Sequence, residues 1–188
     1  DLSVAVSQCA RLVVSDLAGD LEIRTTTRNL VTLDARRSDG RVSMRRNDRT
    51  VHVTRNHQRA GMPHADVVLT IPAWMPVSVN GVNLDVDVSG VEAAVRLETV
   101  NGDIDLVGGR GVVEVISVSG DVTIRNATGR IAARSVNGEV EVTDSEGDLV
   151  AEATNGEIDL ARVRANAVSA TSVNGSITYA GTIAADGR

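Results

Sequence analysis

Nine carboxylates between residues 85 and 159 of this 188-residue chain recur at spacings that could do chemistry: Asp85 and Asp87, Asp103 and Asp105, Asp121, Glu139 and Glu141, Glu157 and Asp159. Members of a pair are two residues apart, and equivalent positions return every eighteen. Residues two apart on an extended strand share one face. Rows of carboxylate oxygen suit a divalent cation such as Ca²⁺ or an arginine-bearing surface. Taken in pairs, with Asp103, Asp105 and Asp121 the place to look, they suit acid–base cleavage of a glycoside. The plain alternative is a hydrated acidic face that keeps the chain soluble. The rows lack the Gly-rich nonapeptide signature of calcium-binding β-rolls, which weighs against Ca²⁺.

Other chemistry has less to stand on. His52, His57 and His64 are spaced five and seven apart and match no familiar zinc template. Cys9 is single, so neither an internal disulfide nor a cysteine zinc site is available. No Gly-x-Ser-x-Gly elbow occurs. Gly108-Gly109-Arg110-Gly111 lacks the following Lys-Ser/Thr of a phosphate loop and suits a turn. No catalytic set, metal set or cofactor motif emerges, and a non-enzyme is expected.

What positions the acids is a repeat. VNLDVDV (82–88), VNGDIDL (100–106), VSGDVTI (118–124), VNGEVEV (136–142), TNGEIDL (154–160) and VNGSITY (173–179) align without gaps, at spacings of 18, 18, 18, 18 and 19. Between them runs a second register of apolar pairs: Val77/Val79, Val95/Leu97, Val113/Val115, Ile131/Ala133, Leu149/Ala151 and Val168/Ala170. Apolar residues at i and i+2 mark strands with one buried face. Eighteen residues are too few for a crossover helix and two strands. The chain is therefore predicted to be all-β, a parallel β-solenoid of about 18 residues and two strands per rung. Rungs ~4.8 Å apart would make a rod about 29 Å long and stack equivalent residues in columns. The acids then form one strip. Asn83, Asn101, Ser119, Asn137, Asn155 and Asn174 form a second, structural ladder at a turn, able to hydrogen-bond along the rod. The repeat glycines (Gly102, Gly120, Gly138, Gly156, Gly175) imply a bend with positive φ or close backbone approach, though Leu84 holds that position in the first copy.

The composition fits this architecture. Hydrophobic residues make up 42% of the chain but aromatics only 1%, with Trp74, Tyr179 and no Phe, so the core must be aliphatic. No apolar run reaches the length of a membrane-spanning helix. Asp1 opens without a basic and apolar leader, so a targeting segment is expected to have been removed. Residues 1–75 carry eleven Arg against eight acids, and residues 76–188 eight Arg against seventeen. Eight of the arginines (Arg36, Arg37, Arg41, Arg45, Arg46, Arg49, Arg55, Arg59) lie in one segment. That segment has none of the stacking aromatics of a nucleic-acid module, so nucleic acid is not an expected partner. The eighteen-residue register fades before residue 76. Strand-like alternation persists at Leu2–Val6, Arg11–Val14, Leu21–Thr25, Leu30–Ala35, Arg41–Arg45, Thr50–Thr54 and Val67–Ile71, and Gly19-Asp20-Leu21-Glu22-Ile23 looks like a degenerate repeat strand. Asn47-Asp48 suits a hairpin turn. The expected organisation is a less regular β lobe over 1–75, closing the rod's N-terminal end, and solenoid repeats over 76–188. Pro72 and Pro76 mark the junction, with Trp74 packing over the first rung.

An apolar strand ending in a Pro-containing junction (67–76), followed by tandem S/T-V-N-G-D/E-I/V strands, resembles the bacterial putative-adhesin family of β-strand-repeat proteins, a domain of unknown function. The likeness spans roughly 67–179. It implies an envelope-associated, extracytoplasmic solenoid (periplasmic, secreted or surface-anchored) and supplies no catalytic residues. The expectation is a non-enzymatic adhesin-like binding or scaffold module whose partner is an envelope protein or surface polysaccharide. A carbohydrate-active enzyme and a divalent-cation-stabilised rod are the alternatives. At the C-terminal end, either Tyr179 and the tail over 180–188 cover the last rung, or two rods meet there as a homo-oligomer.

Overall fold

The computed structural model describes residues 2–37, 42–55 and 65–184, and every described element is a strand. In chain order these are β1 (Leu2–Ala5), β2 (Arg11–Thr26), β3 (Leu30–Arg37), β4 (Val42–Asn47), β5 (Thr50–Arg55), β6 (Ala65–Pro72), β7 (Val77–Val91) and β8 (Val95–Asn101). They continue with β9 (Ile104–Gly108), β10 (Arg110–Ser119), β11 (Val122–Arg125), β12 (Thr128–Asn137), β13 (Val140–Thr143), β14 (Glu146–Asn155), β15 (Ile158–Ser172) and β16 (Ile177–Ile183).

From β7 onward the chain is a parallel β-solenoid of about six turns. One wall stacks β7, β8, β10, β12, β14 and the second half of β15, always parallel. The other stacks β7, β9, β11, β13, the first half of β15, and β16. Registers advance by eighteen: Val95 pairs with Val113, which pairs with Ile131, and Ile104 with Val122, which pairs with Val140. The aliphatic columns of the repeat are therefore literal. Val79, Leu97, Val115, Ala133 and Ala151 follow one another and are buried. Facing them, Val88, Leu106, Ile124, Val142 and Leu160 are buried too. Each large side chain gains about 1.5–3 kcal/mol by leaving water. That gain exists only because the layers above and below close over it.

The glycine of the repeat is required by close approach. A Cβ on Gly120 would lie 2.1 Å from the carbonyl oxygen of Gly102 one layer below, and its φ is +153°. The first copy solves the same problem differently. Leu84 turns inward and is buried, and Gly81 makes room for it, since a Cβ there would meet the Leu84 side chain at 2.7 Å.

The parallel stacking does not begin at β7. Residues 12–23 of β2 run parallel to residues 77–88, and on its other side β2 pairs in parallel with β5 and β6. Two segments expected as separate strands, Arg11–Val14 and Leu21–Thr25, are one bent strand, with irregular register around Leu17 and a positive φ at Asp16. Antiparallel strands then close the N-terminal end: β3 on β6, β1 on β3, and β4 on β5. In the β4–β5 hairpin Asn47 pairs with Thr50, so the turn is Asp48-Arg49, one residue later than expected, with the left-handed conformation at Asp48. Aspartate tolerates that conformation because its side chain can bond locally. Trp74 packs against the core and donates its indole N–H to Asn29 Oδ1 at 3.2 Å. No described helix is long and apolar enough to cross a membrane.

Candidate functional site

The alternation that buries Ile104 and Leu106 must turn Asp103 and Asp105 outward, and stacking repeats this on every layer. Two carboxylate columns result on the β9–β11–β13 wall. The first holds Asp85, Asp103, Asp121, Glu139 and Glu157. The second holds Asp87, Asp105, Glu141 and Asp159, with Thr123 between Asp105 and Glu141. All nine sequence-predicted acids thus lie on one face.

The two columns differ in their bonding. In the first, Asp85 Oδ1 accepts the backbone N–H of Asp103 at 3.0 Å, Asp103 Oδ1 that of Asp121 at 2.8 Å, and Asp121 Oδ1 that of Glu139 at 2.8 Å. Each aspartate therefore splices its layer to the next at the bend, beside the backbone bonds that the Gly102 and Ile104 N–H groups donate to Ser119 and Asp121 carbonyls. The run of such bonds ends at the Glu139 N–H, where the column changes from aspartate to glutamate. In the second column, Asp105 Oδ1 is shielded from solvent and has no hydrogen-bond partner.

Crowding shows in the protonation equilibria. Burial, then the neighbouring Asp105 and Glu22, pushes the Asp87 carboxyl up, and Arg24 only partly opposes this. Glu139 is likewise pushed up, first by desolvation and then by Asp121, Glu157, Glu141 and Asp159. Arg24 pairs with Glu22 at the margin of the face. At the turn after β13, the Arg162 guanidinium holds both Asp144 oxygens at 2.7 Å and keeps that carboxyl below its usual range.

The strip extends further than the repeat implied. Asp20 is aligned with Asp85 and with Asp66, and Glu22 with Asp87. A concavity of about 620 Å³ runs over this end of the face, lined by carboxylates of both columns from Asp66 and Asp20 through Asp121. Among the described residues no group of three or more His, Cys, Asp or Glu is arranged to hold a metal ion. Signals for the added acids existed in Gly19–Ile23, which resembles a repeat strand; Asp66 had none.

The asparagine ladder stands at the neighbouring corner. Asn101 Nδ2 donates to Asn83 Oδ1 at 2.9 Å, Asn155 to Asn137 at 2.9 Å, and Asn174 to Asn155 at 2.8 Å. Ser119 falls between the two runs. Just inside it lies a hydroxyl column that spacing alone did not assign. Thr99 Oγ1 donates to Leu84 O at 3.1 Å, Ser135 Oγ to Gly120 O at 3.1 Å, and Ser172 Oγ to Gly156 O at 3.1 Å. The S/T preceding V-N-G was its visible signature.

The remaining candidates lie elsewhere. His52 is half-buried on β5, away from the strip, and His57 and His64 lie outside the described residues. Cys9 is exposed and free. Of the arginine cluster, Arg45, Arg46 and Arg49 are exposed at the β4–β5 hairpin, with Arg46 Nη1 bonded to Ala5 O at 2.9 Å; Arg41 and Arg59 lie outside the described residues.

Among solved structures, the chain is similar to a crystal structure from Bacteroides fragilis called a putative adhesin. The two share 15% identity at a TM-score of 0.51, over 97% of this chain and 94% of the other. The likeness is one of fold. No protein-family model matches the chain, and no curated protein does.

Proposed function

We propose that this chain is a non-enzymatic module of the cell envelope, exposed outside the cytoplasm, that binds a surface partner as an adhesin does. Its binding element is the acidic face. The observation that carries this is the fixed geometry of that face: a rigid sheet holds two carboxylate columns in register, and one column is further pinned by backbone hydrogen bonds. A preformed face of one sign loses little entropy on binding and attracts a cationic partner over distance. The fold likeness to an adhesin supports the same reading. An envelope protein presenting arginine or lysine fits this chemistry, as does a surface polysaccharide bearing amino sugars.

The test neutralises the second column and spares the first. A variant carrying Asp87→Asn, Asp105→Asn, Glu141→Gln and Asp159→Asn retains the carboxylates that accept backbone N–H groups. Against immobilised envelope proteins and polysaccharides, the parent is expected to bind in a salt-sensitive manner and the variant at least tenfold more weakly. Equal binding by both removes the face from the function.

One observation favours a second reading: Asp105 Oδ1, buried without a partner beside other carboxylates, is the kind of group that holds a substrate hydroxyl or a proton. Incubation with uronate polymers and neutral glycans tests it. New reducing ends that vanish with Asp103→Asn would make the protein a carbohydrate-active enzyme instead.

A further inference from the structure

The two ends of the rod are finished differently. At the N-terminal end, stacking stops in antiparallel strands that are guarded in familiar ways: β1 is only four residues long, and β4 carries Arg45 and Arg46. Short or charged edge strands discourage pairing with another chain. At the other end, β16 is seven residues long and pairs on one side only, with β15. Its Ile177 and Tyr179 continue the two aliphatic columns of their wall, yet they remain 45% and 37% exposed, with no further layer among the described residues. Ile183 beside them is 46% exposed.

Charge disappears at the same place. Residues 165–184 contain no Asp, Glu, Lys or Arg, in a chain that is 23% charged. Both acidic columns stop one layer short, at Glu157 and Asp159, and Ser176 and Thr178 occupy the slots above them. An open edge that needed protection would carry charge. One that must approach its own copy would shed it.

We propose that two copies of this chain pair end to end through β16 and the edge of β15 at 168–172. A two-fold axis passing through both walls sets β16 antiparallel to β16 and each β15 edge antiparallel to its equivalent. Such an interface is self-complementary and closed, giving a dimer rather than a fibre. It completes the aliphatic columns and satisfies the free backbone groups of two edges at once. The neutral layer sets the spacing between charges. With ~4.8 Å per layer, Asp159 of one copy and Asp159 of the other stand three layers apart, about 14 Å. That exceeds the Debye length of about 8 Å at physiological salt, so the acidic strips do not oppose the contact.

Sedimentation velocity on the 188-residue chain tests this. The parent is expected to be a dimer. The double variant Ser176→Asp/Thr178→Glu extends both acidic columns by one outward-facing layer and brings like charges of the two copies to about 5 Å, one layer apart. Its dimer dissociation constant is expected to rise more than tenfold at 0.15 M salt and to recover in part at 1 M, with an unchanged far-ultraviolet circular dichroism spectrum. Ile177→Lys/Ile183→Lys is expected to give monomer at either salt. A parent that is monomeric at concentrations up to about 100 µM overturns the proposal. So does a Ser176→Asp/Thr178→Glu variant that dimerises as the parent does. The acidic-face reading is tested by separate substitutions, and the two can fail independently.

Discussion

The two walls of the solenoid are built on the same pitch and treat charge in opposite ways. On the β8–β10–β12–β14 wall, outward residues one layer apart pair with opposite sign: Arg96 with Glu114 at 3.1 Å, and Arg134 with Glu152 at 3.0 Å. Asn80 also reaches Glu98. On the β9–β11–β13 wall, equivalent neighbours are acid on acid throughout the first column and, except at Thr123, along the second. An arginine eighteen residues from a glutamate is all that compensation requires, and the chain supplies it on one wall. The acidity of the other is thus a property of that face and not of overall composition. Exposed pairs contribute only about 0–1 kcal/mol each, so the contrast concerns what each face presents more than how firmly it is held.

Both walls belong to one stack, and the bend joining them is where a single substitution disrupts it most. Gly120→Val would drive a side chain into the Gly102 carbonyl, with no flexible group to yield. A loss of about 3 kcal/mol or more is expected in urea denaturation. Within the acidic wall, the two columns should then separate. Asp103→Ala removes the acceptor of the Asp121 N–H and is expected to cost about 1–3 kcal/mol. Asp105→Ala deletes a carboxylate with an unpartnered oxygen among like charges, and is expected to be neutral or slightly stabilising. Equal losses at 103 and 105 would erase the distinction between a structural and a presented column.

How much of this was legible follows from one property of parallel stacking: it turns a fixed separation in sequence into contact in space. The period of eighteen therefore gave the columns of Val115 and Ile124, the nine acids and the Asn ladder without any three-dimensional information. Legibility ended where that property fails. Asp66 reaches the strip through an excursion from β2 out to β6 that has no fixed length, so no spacing could announce it. The Asp85, Asp103 and Asp121 bonds to backbone depend on how the chain turns at the bend, which residue type alone does not specify. The Thr99 and Ser135 hydroxyls were visible as letters of the motif, but their carbonyl partners lie fifteen residues away, off the period.

Smaller effects sharpen the contrast in charge. Thr123→Arg places a guanidinium between Asp105 and Glu141, copying onto the acidic wall the alternation of the other. It is expected to raise stability by about 0.5–1 kcal/mol, and Glu114→Gln on the compensated wall to lower it by no more than about 1 kcal/mol. Added NaCl should raise the melting temperature of the parent and narrow the difference from Thr123→Arg. A further rise with Ca²⁺ at matched ionic strength, reversed by EDTA, would assign the screening to a bound cation.

Acidification gives the gentlest probe, and its sign separates the acidic face from the ion-paired turn. Asp87 and Glu139 have folded-state values above their ordinary 3.8 and 4.5, so folding disfavours their charged forms. At neutral pH this opposes folding. As pH falls through the raised values the fold takes up protons that the unfolded chain does not yet bind, and stability increases. Asp144 behaves conversely: Arg162 holds its value below 3.8, so its contribution is present above 3.8 and is lost as pH drops through the lowered folded value. The melting temperature should therefore climb from pH 7 into the mildly acidic range, then fall below the ordinary carboxylate range. Asp87→Asn with Glu139→Gln should flatten the climb and leave the fall. Arg162→Gln should reduce the fall and leave the climb. A profile that declines monotonically from pH 7 would mean that water and salt already neutralise the face, and that its carboxylates do not feel one another across the layers.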